Sequence, residues 1–298
     1  MPARFHNLQI EIVQDQVLEE IPSASGIAGW RDCYYVIGDD SPFLFFLDSD
    51  FKVISRTIIH PVTDLKGATF PKSLKPDFEA MEIMGDKEIL IFGSGSLSPY
   101  RNQFLRIPIN KMSAMESYDL SDMYDRLRNA EIMGNAELNI EALASYGAHL
   151  YLFNRGKNII FGFLYSDLLK YLKGHLPFPE PIAIRFHLPK IEGIEAGFSG
   201  ATVIRESPCI VFTASVENTQ NAYDDGEVYG SFVGIIPISG TGIINSYTAV
   251  PIPYMDRPLK VESVTVGKEL SRQEADLVLV TDSDGGNSRV LKCKLSWK

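Results

Sequence analysis

One short motif returns five times along the chain at a nearly constant interval. Each copy has an apolar residue, then Glu or Ser, then a small residue, and each opens a strand-like run. Successive copies are 54, 62, 58 and 63 residues apart. This period is just above what a four-stranded blade of a β-propeller needs. The copies are Ala24-Ser25-Gly26, Phe78-Glu79-Ala80, Ile140-Glu141-Ala142, Phe198-Ser199-Gly200 and Val261-Glu262-Ser263.

The repeat predicts an all-β protein, a five-bladed β-propeller formed by a single domain. Each unit has three strands separated by turn residues, followed by a more variable fourth. The fifth unit ends at Lys298 after its third strand, and the strand-like segment Leu8 to Val13 precedes the first unit. Pairing the two would close the ring and leave no exposed edge. We expect blades at about 20–62, 76–135, 136–192, 193–254 and 255–298 plus 7–14.

Two segments depart from this β pattern. Asp119 to Arg128 and Ser166 to Lys173 have helical spacing and begin with acidic or capping residues. Both follow the predicted third strand of their unit. We therefore expect two helices between third and fourth strands, at the rim and away from the axis.

Charge and composition limit the partners. The chain is 45% hydrophobic and 22% charged, as in soluble globular proteins, and its net charge of −10 disfavours non-specific binding to nucleic acid or to an anionic membrane. It has neither an apolar run of membrane-spanning length nor the apolar region of a signal peptide at its start. We expect a cytoplasmic protein unless a leader has been removed. The oligomeric state stays open.

The five motif residues should converge at the axis of the ring. Three of them are carboxylates, Glu79, Glu141 and Glu262, which would repel one another if nothing neutralised them. Oxygen ligands without His or Cys favour calcium or magnesium over zinc, and a wide mixed ring fits calcium better. The alternative is that the glutamates hold water, pair with Arg155 or carry protons, with no metal.

A second set of polar residues should reach the same face. The start of each inner strand and the end of the second strand lie at one mouth of the tunnel, so residues that follow the second strands join the ring there. We expect a small-molecule ligand at this axial top face. The predicted ligand contacts are Ser94, Asn154, Lys157, Asn218, Asp282 and Asp284.

The order Ser, Glu, Glu, Ser, Glu over the five units resembles the calcium-activated nucleotidases of the apyrase family. Three stretches are also similar: YYVIGDDSPFLFFL, GFSGATVI and KVESVTV. The strings Asp77-Phe78-Glu79-Ala80 and Asn139-Ile140-Glu141-Ala142 resemble bacterial esterase-like phytase domain proteins. The resemblance implies a five-bladed propeller with a central Ca²⁺ ion. Its implied ligands are Ser25, Glu79, Glu141, Ser199 and Glu262.

Three classes of function remain open. In a calcium-dependent hydrolase of a phosphorylated or ester substrate, Asp39 and Asp40 would orient the attacking water and Arg155 would clamp a phosphate, with Lys157 adding charge. In a binding propeller, the ion would serve structure while the top face holds a sugar or peptide. In a scaffold there would be no small ligand. Turn chemistry for the Asp pair and a surface location for Arg155 are the alternatives to catalysis.

Overall fold

The computed structural model describes residues 5–63, 69–218, 226–240, 242–254, 256–282 and 287–298. Short strands separated by turns dominate, as the repeated alternation of apolar and turn residues predicts. Successive strands of each sheet pair antiparallel. The first strand of the chain, β1, spans Gln9–Pro22.

Each unit of the repeat forms one sheet, and its strands lie in chain order from the axis outwards, except that the outermost strand of blade five is β1. In blade four, β18 pairs with both β19 and β20. A two-stranded hairpin, β14 and β15, precedes that blade. The strands are β2 Ala24–Trp30, β3 Cys33–Gly38, β4 Phe43–Leu47 and β5 Val53–Ile58 in blade one; β6 Phe78–Met84, β7 Glu88–Gly93, β8 Gln103–Pro108 and β9 Glu116–Asp119 in blade two; β10 Ile140–Tyr146, β11 His149–Asn154, β12 Ile159–Leu164 and β13 Ile182–Arg185 in blade three; the hairpin β14 Lys190–Ile191 and β15 Ile194–Glu195; β16 Gly197–Ile204, β17 Cys209–Asn218, β18 Glu227–Ser239, β19 Gly242–Ile243 and β20 Thr248–Pro251 in blade four; and β21 Lys260–Ser271, β22 Glu274–Asp282 and β23 Asn287–Ser296 in blade five.

The N-terminal strand closes the ring. Strand β1 pairs antiparallel with β23, from Gln9 opposite Ser296 to Pro22 opposite Asn287, and supplies the fourth strand of blade five. The inner strands β2, β6, β10, β16 and β21 each contact the next, and β21 contacts β2. The predicted five-bladed all-β propeller, closed by the N-terminal segment, is confirmed.

The hydrophobic core consists of five clusters, one between each pair of neighbouring blades. Because both faces of a blade are covered by its neighbours, the middle strands are apolar on both faces rather than alternating. The second strand β7 is an example, with Ile89, Leu90, Ile91 and Phe92 all fully buried. This packing holds the inner strands, and hence the axial residues, in fixed positions.

Two helices occur where the sequence predicts helices. Helix α2, Tyr165–Leu172, lies between the third and fourth strands of its blade as expected. Helix α1, Ser121–Arg128, instead follows the short fourth strand β9, so its predicted order was wrong. Tyr124 of α1 is fully buried and donates a hydrogen bond to the Gly93 carbonyl at 2.6 Å, so α1 packs into the core rather than decorating the rim. Neither helix of the described residues is long and apolar enough to cross a membrane.

Candidate functional site

Every motif residue sits at a β-bulge at the start of its inner strand. In blade one, Ala24 lies opposite Gly38 and Gly26 lies opposite Ile37, so Ser25 between them has no partner in the ladder. A bulge re-aims the side chain of the extra residue and bends the strand. The same break recurs at Glu79, Glu141, Ser199 and Glu262. The motif that recurs in the sequence therefore marks a β-bulge that recurs in every blade.

A cavity of about 410 Å³ opens at the axis on this face. Four of the motif residues line it: Ser25, Glu79, Glu141 and Glu262. Ser199 is fully buried and donates a hydrogen bond to Thr213 Oγ1 at 3.1 Å, within its own blade. The predicted five-residue convergence therefore brings four side chains to the cavity.

A second ring of residues lines the same cavity, and the sequence analysis assigned it no role. It lies two positions before each motif residue, and alternate residues of a strand project to the same side. The sequence contains an indication of this second ring, because a polar residue stands two positions before each of Glu79, Glu141 and Glu262. Its members are Ser23, Asp77, Asn139, Gly197 and Lys260.

On the side of blades one and two, acidic and basic side chains alternate. Lys75 forms ion pairs with Asp39 and, at 2.7 Å, with Asp77 Oδ1. Arg101 Nη1 donates to Asp77 Oδ2 at 2.8 Å, and Ser94 Oγ donates to the same oxygen. Burial opposes ionisation of Asp77, but the charges of Lys75 and Arg101 outweigh it and lower its pKa. Asp77 is therefore a fixed anion at the edge of the cavity.

Glu79 is the exception among these acids. It makes no hydrogen bond or ion pair with the residues that the structure describes. Burial, followed by the negative charges of Asp77, Glu141 and Asp39, raises its pKa well above the ordinary value. Oxygens of Asp39, Asp77 and Glu79 lie within 4.8 Å of one another. These three acids are called the acidic triplet below.

On the opposite side, Arg155 and Lys260 neutralise the other carboxylates. Arg155 Nη2 lies 3.0 Å from Glu217 Oε2, and Nη1 lies 3.8 Å from Glu141 Oε2. Lys260 Nζ lies 3.2 Å from Glu262 Oε1 and 3.6 Å from Glu217 Oε1, so Glu217 bridges the two cations. Burial nevertheless raises the pKa of Glu141 to about 7, although Arg155 counteracts it.

Gly197 is required by the path of Arg155. A Cβ atom at this position would lie 2.5 Å from Arg155 Cγ, which is far closer than two carbon atoms can approach. The arginine therefore reaches the cavity across a residue without a side chain. Any side chain introduced at position 197 would have to displace the side chain of Arg155.

The other predicted site residues have different positions. Lys157 and Asp282 line the cavity, and Lys157 Nζ also donates to the Met133 carbonyl at 3.0 Å. Asn154 Oδ1 accepts a hydrogen bond from Asn139 N at 2.6 Å, so this side chain holds a turn, as Ser94 does. Asn218 is exposed at the end of β17 and does not line the cavity, although the preceding residue, Glu217, does. Asp284 lies outside the described residues.

Asp40 is close to the cavity but does not line it. Its Oδ1 atom is buried and has no hydrogen-bond partner among the described atoms. Burial, followed by the charge of Asp39, raises the pKa of Asp40 to about 6. Of the two acids proposed to orient water, Asp39 is therefore the one in contact with the cavity.

The axial charges do not balance. Nine carboxylates and seven cationic side chains line the cavity, which leaves an excess of two negative charges if all are ionised. Such an excess favours either bound protons or a bound cation. The carboxylates are Asp39, Asp77, Glu79, Glu137, Glu141, Glu195, Glu217, Glu262 and Asp282, and the cations are Lys72, Lys75, Arg101, Arg155, Lys157, Arg185 and Lys260.

The chain belongs to a family of unknown function, DUF6929, whose model matches residues 20–295. No curated protein matches it. Among solved structures it is similar to glutaminyl cyclase from Myxococcus xanthus, with 9% identity over all of both chains and a TM-score of 0.49. It is also similar to the tail fibre of Staphylococcus aureus phage P68, with 13% identity, a TM-score of 0.51, and coverage of 97% of this chain and 53% of that one.

A third similar structure is the β-propeller domain of Cps50 (Swd1) from Myceliophteria thermophila. The identity is 10%, the coverage is 95% of this chain and 99% of that one, and the TM-score is 0.40. At these identities the likeness concerns the fold alone. The resemblance to calcium-activated nucleotidases and to esterase-like phytase domains stays a prediction.

Proposed function

We propose that this member of the DUF6929 family is a calcium-binding propeller whose ion lies at the acidic triplet, Asp39, Asp77 and Glu79. The observation that carries the proposal is the unpartnered carboxylate of Glu79, half-buried beside two further acids with their oxygens within 4.8 Å. Hard oxygen ligands of this kind suit calcium. The excess of two negative charges along the axis matches the charge of a divalent ion.

The acidic triplet fits a cation better than the five-residue ring expected from the sequence. Glu141 and Glu262 already pair with Arg155 and Lys260. Ser199 gives its hydroxyl hydrogen to Thr213 instead of facing the cavity. Within the ring, only Glu79 has a carboxylate without an ion pair in the described part of the chain. Glu79 therefore stays in the proposed ligand set, and Asp39 and Asp77 join it.

A hydrolase of a phosphorylated or ester substrate is the reaction class that we propose for this site. A bound calcium ion would offset negative charge on substrate oxygens. Asp39 Oδ1 is buried without a hydrogen-bond partner among the described atoms, so it can accept a hydrogen bond from an attacking water. Lys157 and Arg185 line the cavity and would favour an anionic substrate group.

A non-catalytic ligand-binding propeller is the second candidate, and one observation favours it. Arg155, the expected phosphate clamp, already contacts both Glu141 and Glu217. Its guanidinium would have to leave one of these carboxylates to form a bidentate contact with a phosphate. In this case the ion supports the fold, and the cavity holds a sugar or a peptide.

The first test is thermal unfolding of metal-stripped protein with and without millimolar calcium. An ion that binds only the native state raises its stability, by about 2.7 kcal/mol at a hundredfold excess over the dissociation constant. For a chain of this size we expect the unfolding midpoint to rise by roughly 5 °C. Glu79→Gln should abolish the rise because it removes the unpartnered carboxylate.

Glu82→Gln is the matched control. Glu82 lies on the same strand but does not line the cavity, so this variant should keep the calcium response. An unchanged midpoint in the unmodified protein, or an equal response in Glu79→Gln, would contradict the proposed site. Assays with phosphoester and ester substrates would then separate the two candidate functions. A hydrolase should turn over a substrate in the presence of calcium and lose this activity in chelator, whereas a binding propeller should show no turnover.

A further inference from the structure

The most unusual group in the cavity is the ammonium of Lys75. It comes from the connection between blades one and two, where Leu74 N and Lys75 N both donate to the Pro71 carbonyl, at 2.8 and 3.1 Å. Lys75 itself lies in no strand or helix. The side chain is only 13% exposed and ends between Asp39 and Asp77. A residue outside the repeat thus supplies a cation to the repeat's site.

The Lys75 ammonium and a calcium ion would compete for the same oxygens. Lys75 Nζ lies 2.7 Å from Asp77 Oδ1 and also contacts Asp39 Oδ2. Calcium binds oxygen at about 2.3–2.6 Å, so an ion on these oxygens would occupy nearly the position of the ammonium. Two cations at one position would also repel strongly. Only one of them can be there at a time.

The Asp77 carboxylate and the backbone of Asp39 are held in place by contacts that do not involve Lys75. Arg101 and Ser94 fix the other oxygen of Asp77, and Asp77 N donates to the Asp39 carbonyl at 3.1 Å. Asp39 N in turn donates to the Ser23 carbonyl at 3.2 Å. The Asp77 carboxylate and the backbone of Asp39 therefore keep their positions when the ammonium leaves. The side chain that moves is the lysine.

We infer that Lys75 is a tethered counter-ion that fills the acidic triplet when calcium is absent and swings out of the cavity when calcium binds. This inference rests on the proposed calcium site. It adds that the affinity for the ion is set by competition with a residue of the chain itself. Calcium binding is thereby coupled to movement of the connection that carries Lys75 at the rim of the cavity.

The direct test is labelling of amines in the unmodified protein, with mass spectrometry of the modified lysines. Without calcium, Lys75 should be protected from an acylating reagent because its ammonium is enclosed by carboxylates. With saturating calcium, its labelling rate should rise at least tenfold. Lys72 lines the same cavity from the same connection and serves as the internal control, with a change of less than twofold expected.

The second test measures calcium affinity by titration calorimetry in Lys75→Met. Removing the competing cation should strengthen calcium binding at least tenfold. Lys72→Met removes a positive charge from the same cavity but leaves the Lys75 ammonium at the acidic triplet, so it should strengthen calcium binding by much less. Comparison of the two variants separates displacement from a general change in charge.

The outcomes of these tests also separate the inference from the proposed function. Equal calcium affinity in the unmodified protein and in Lys75→Met would overturn the inference while leaving the calcium site standing. The inference would also be overturned if calorimetry showed bound calcium while the labelling rate of Lys75 did not rise. Binding seen only in Lys75→Met would contradict both the proposed function and the displacement, because the ammonium of the unmodified protein would then never leave the triplet. Absence of binding in both proteins would overturn the proposed function, and the inference with it.

Discussion

Replacement of Arg155 by Met is expected to destabilise the protein by about 3–5 kcal/mol, the cost of breaking a buried ion pair on one side. The arginine side chain is 16% exposed, and its partners Glu141 and Glu217 are 9% and 6% exposed. Without it, both carboxylates lose their nearest positive charge on that side of the cavity. Urea unfolding followed by tryptophan fluorescence would measure the change.

Arg126→Met is the matched control for this prediction. Arg126 pairs with Asp122 one turn away on α1, and both side chains are more than half exposed. Solvent screening leaves exposed pairs of this kind with little effect on stability, so the control should leave the free energy of unfolding nearly unchanged. Combining Arg155→Met with Glu217→Gln should recover part of the lost stability, because one of the two carboxylates left without Arg155 is then neutral. A loss in Arg155→Met as small as that in the control would refute the buried network.

The metal-free protein is expected to lose stability as the pH rises from about 4.5 to 7. Burial raises the pKa of Glu141 to about 7 and the pKa of Asp40 to about 6, and that of Glu79 lies well above its ordinary value. The folded state therefore binds protons that the unfolded state releases near pH 4 to 5, so the stabilisation is complete below that range and disappears as the pH passes the folded pKa. The shift of Glu141 alone corresponds to roughly 3 kcal/mol.

Measurement of the unfolding free energy in chelator at several pH values between 5 and 8 would test this. Glu141→Gln should flatten the curve because the variant has no proton to release at that position. Asp77 behaves in the opposite way, because folding lowers its pKa. Its contribution to stability is lost only as the pH falls below about 4, outside this window. Stability that stays constant or rises between pH 5 and 7 would contradict the proton-bound axis.

The fold could be predicted because one local irregularity recurs in every blade. The break in pairing at Ser25, Glu79, Glu141, Ser199 and Glu262 is followed by a small residue in every blade, and this leaves a period that is visible in the sequence. The order of α1 and β9 could not be predicted as readily. Strand β9 has only four residues, and a single residue, Leu120, separates it from helix α1.

The site could be predicted only in part, because repeats specify strands and not the loops between them. Glu79, Glu141 and Glu262 reach the cavity as the repeat predicts, and Lys260 and Asp77 could have been found two positions earlier in the same motif. Lys75 and Arg101 come from connections that no other blade shares, so periodicity gives no indication of them. The hydroxyl of Ser199 turns away from the axis because Thr213 on the neighbouring strand accepts its hydrogen bond.

The most direct test of the calcium site is a crystal structure of the protein grown with calcium, with the ion located by its anomalous scattering. We expect one peak in the axial cavity, within coordination distance of Glu79, Asp39 and Asp77, and the Lys75 ammonium displaced from between the acids. A cavity without a peak at saturating calcium, or a peak only at sites remote from Glu79, would contradict the account.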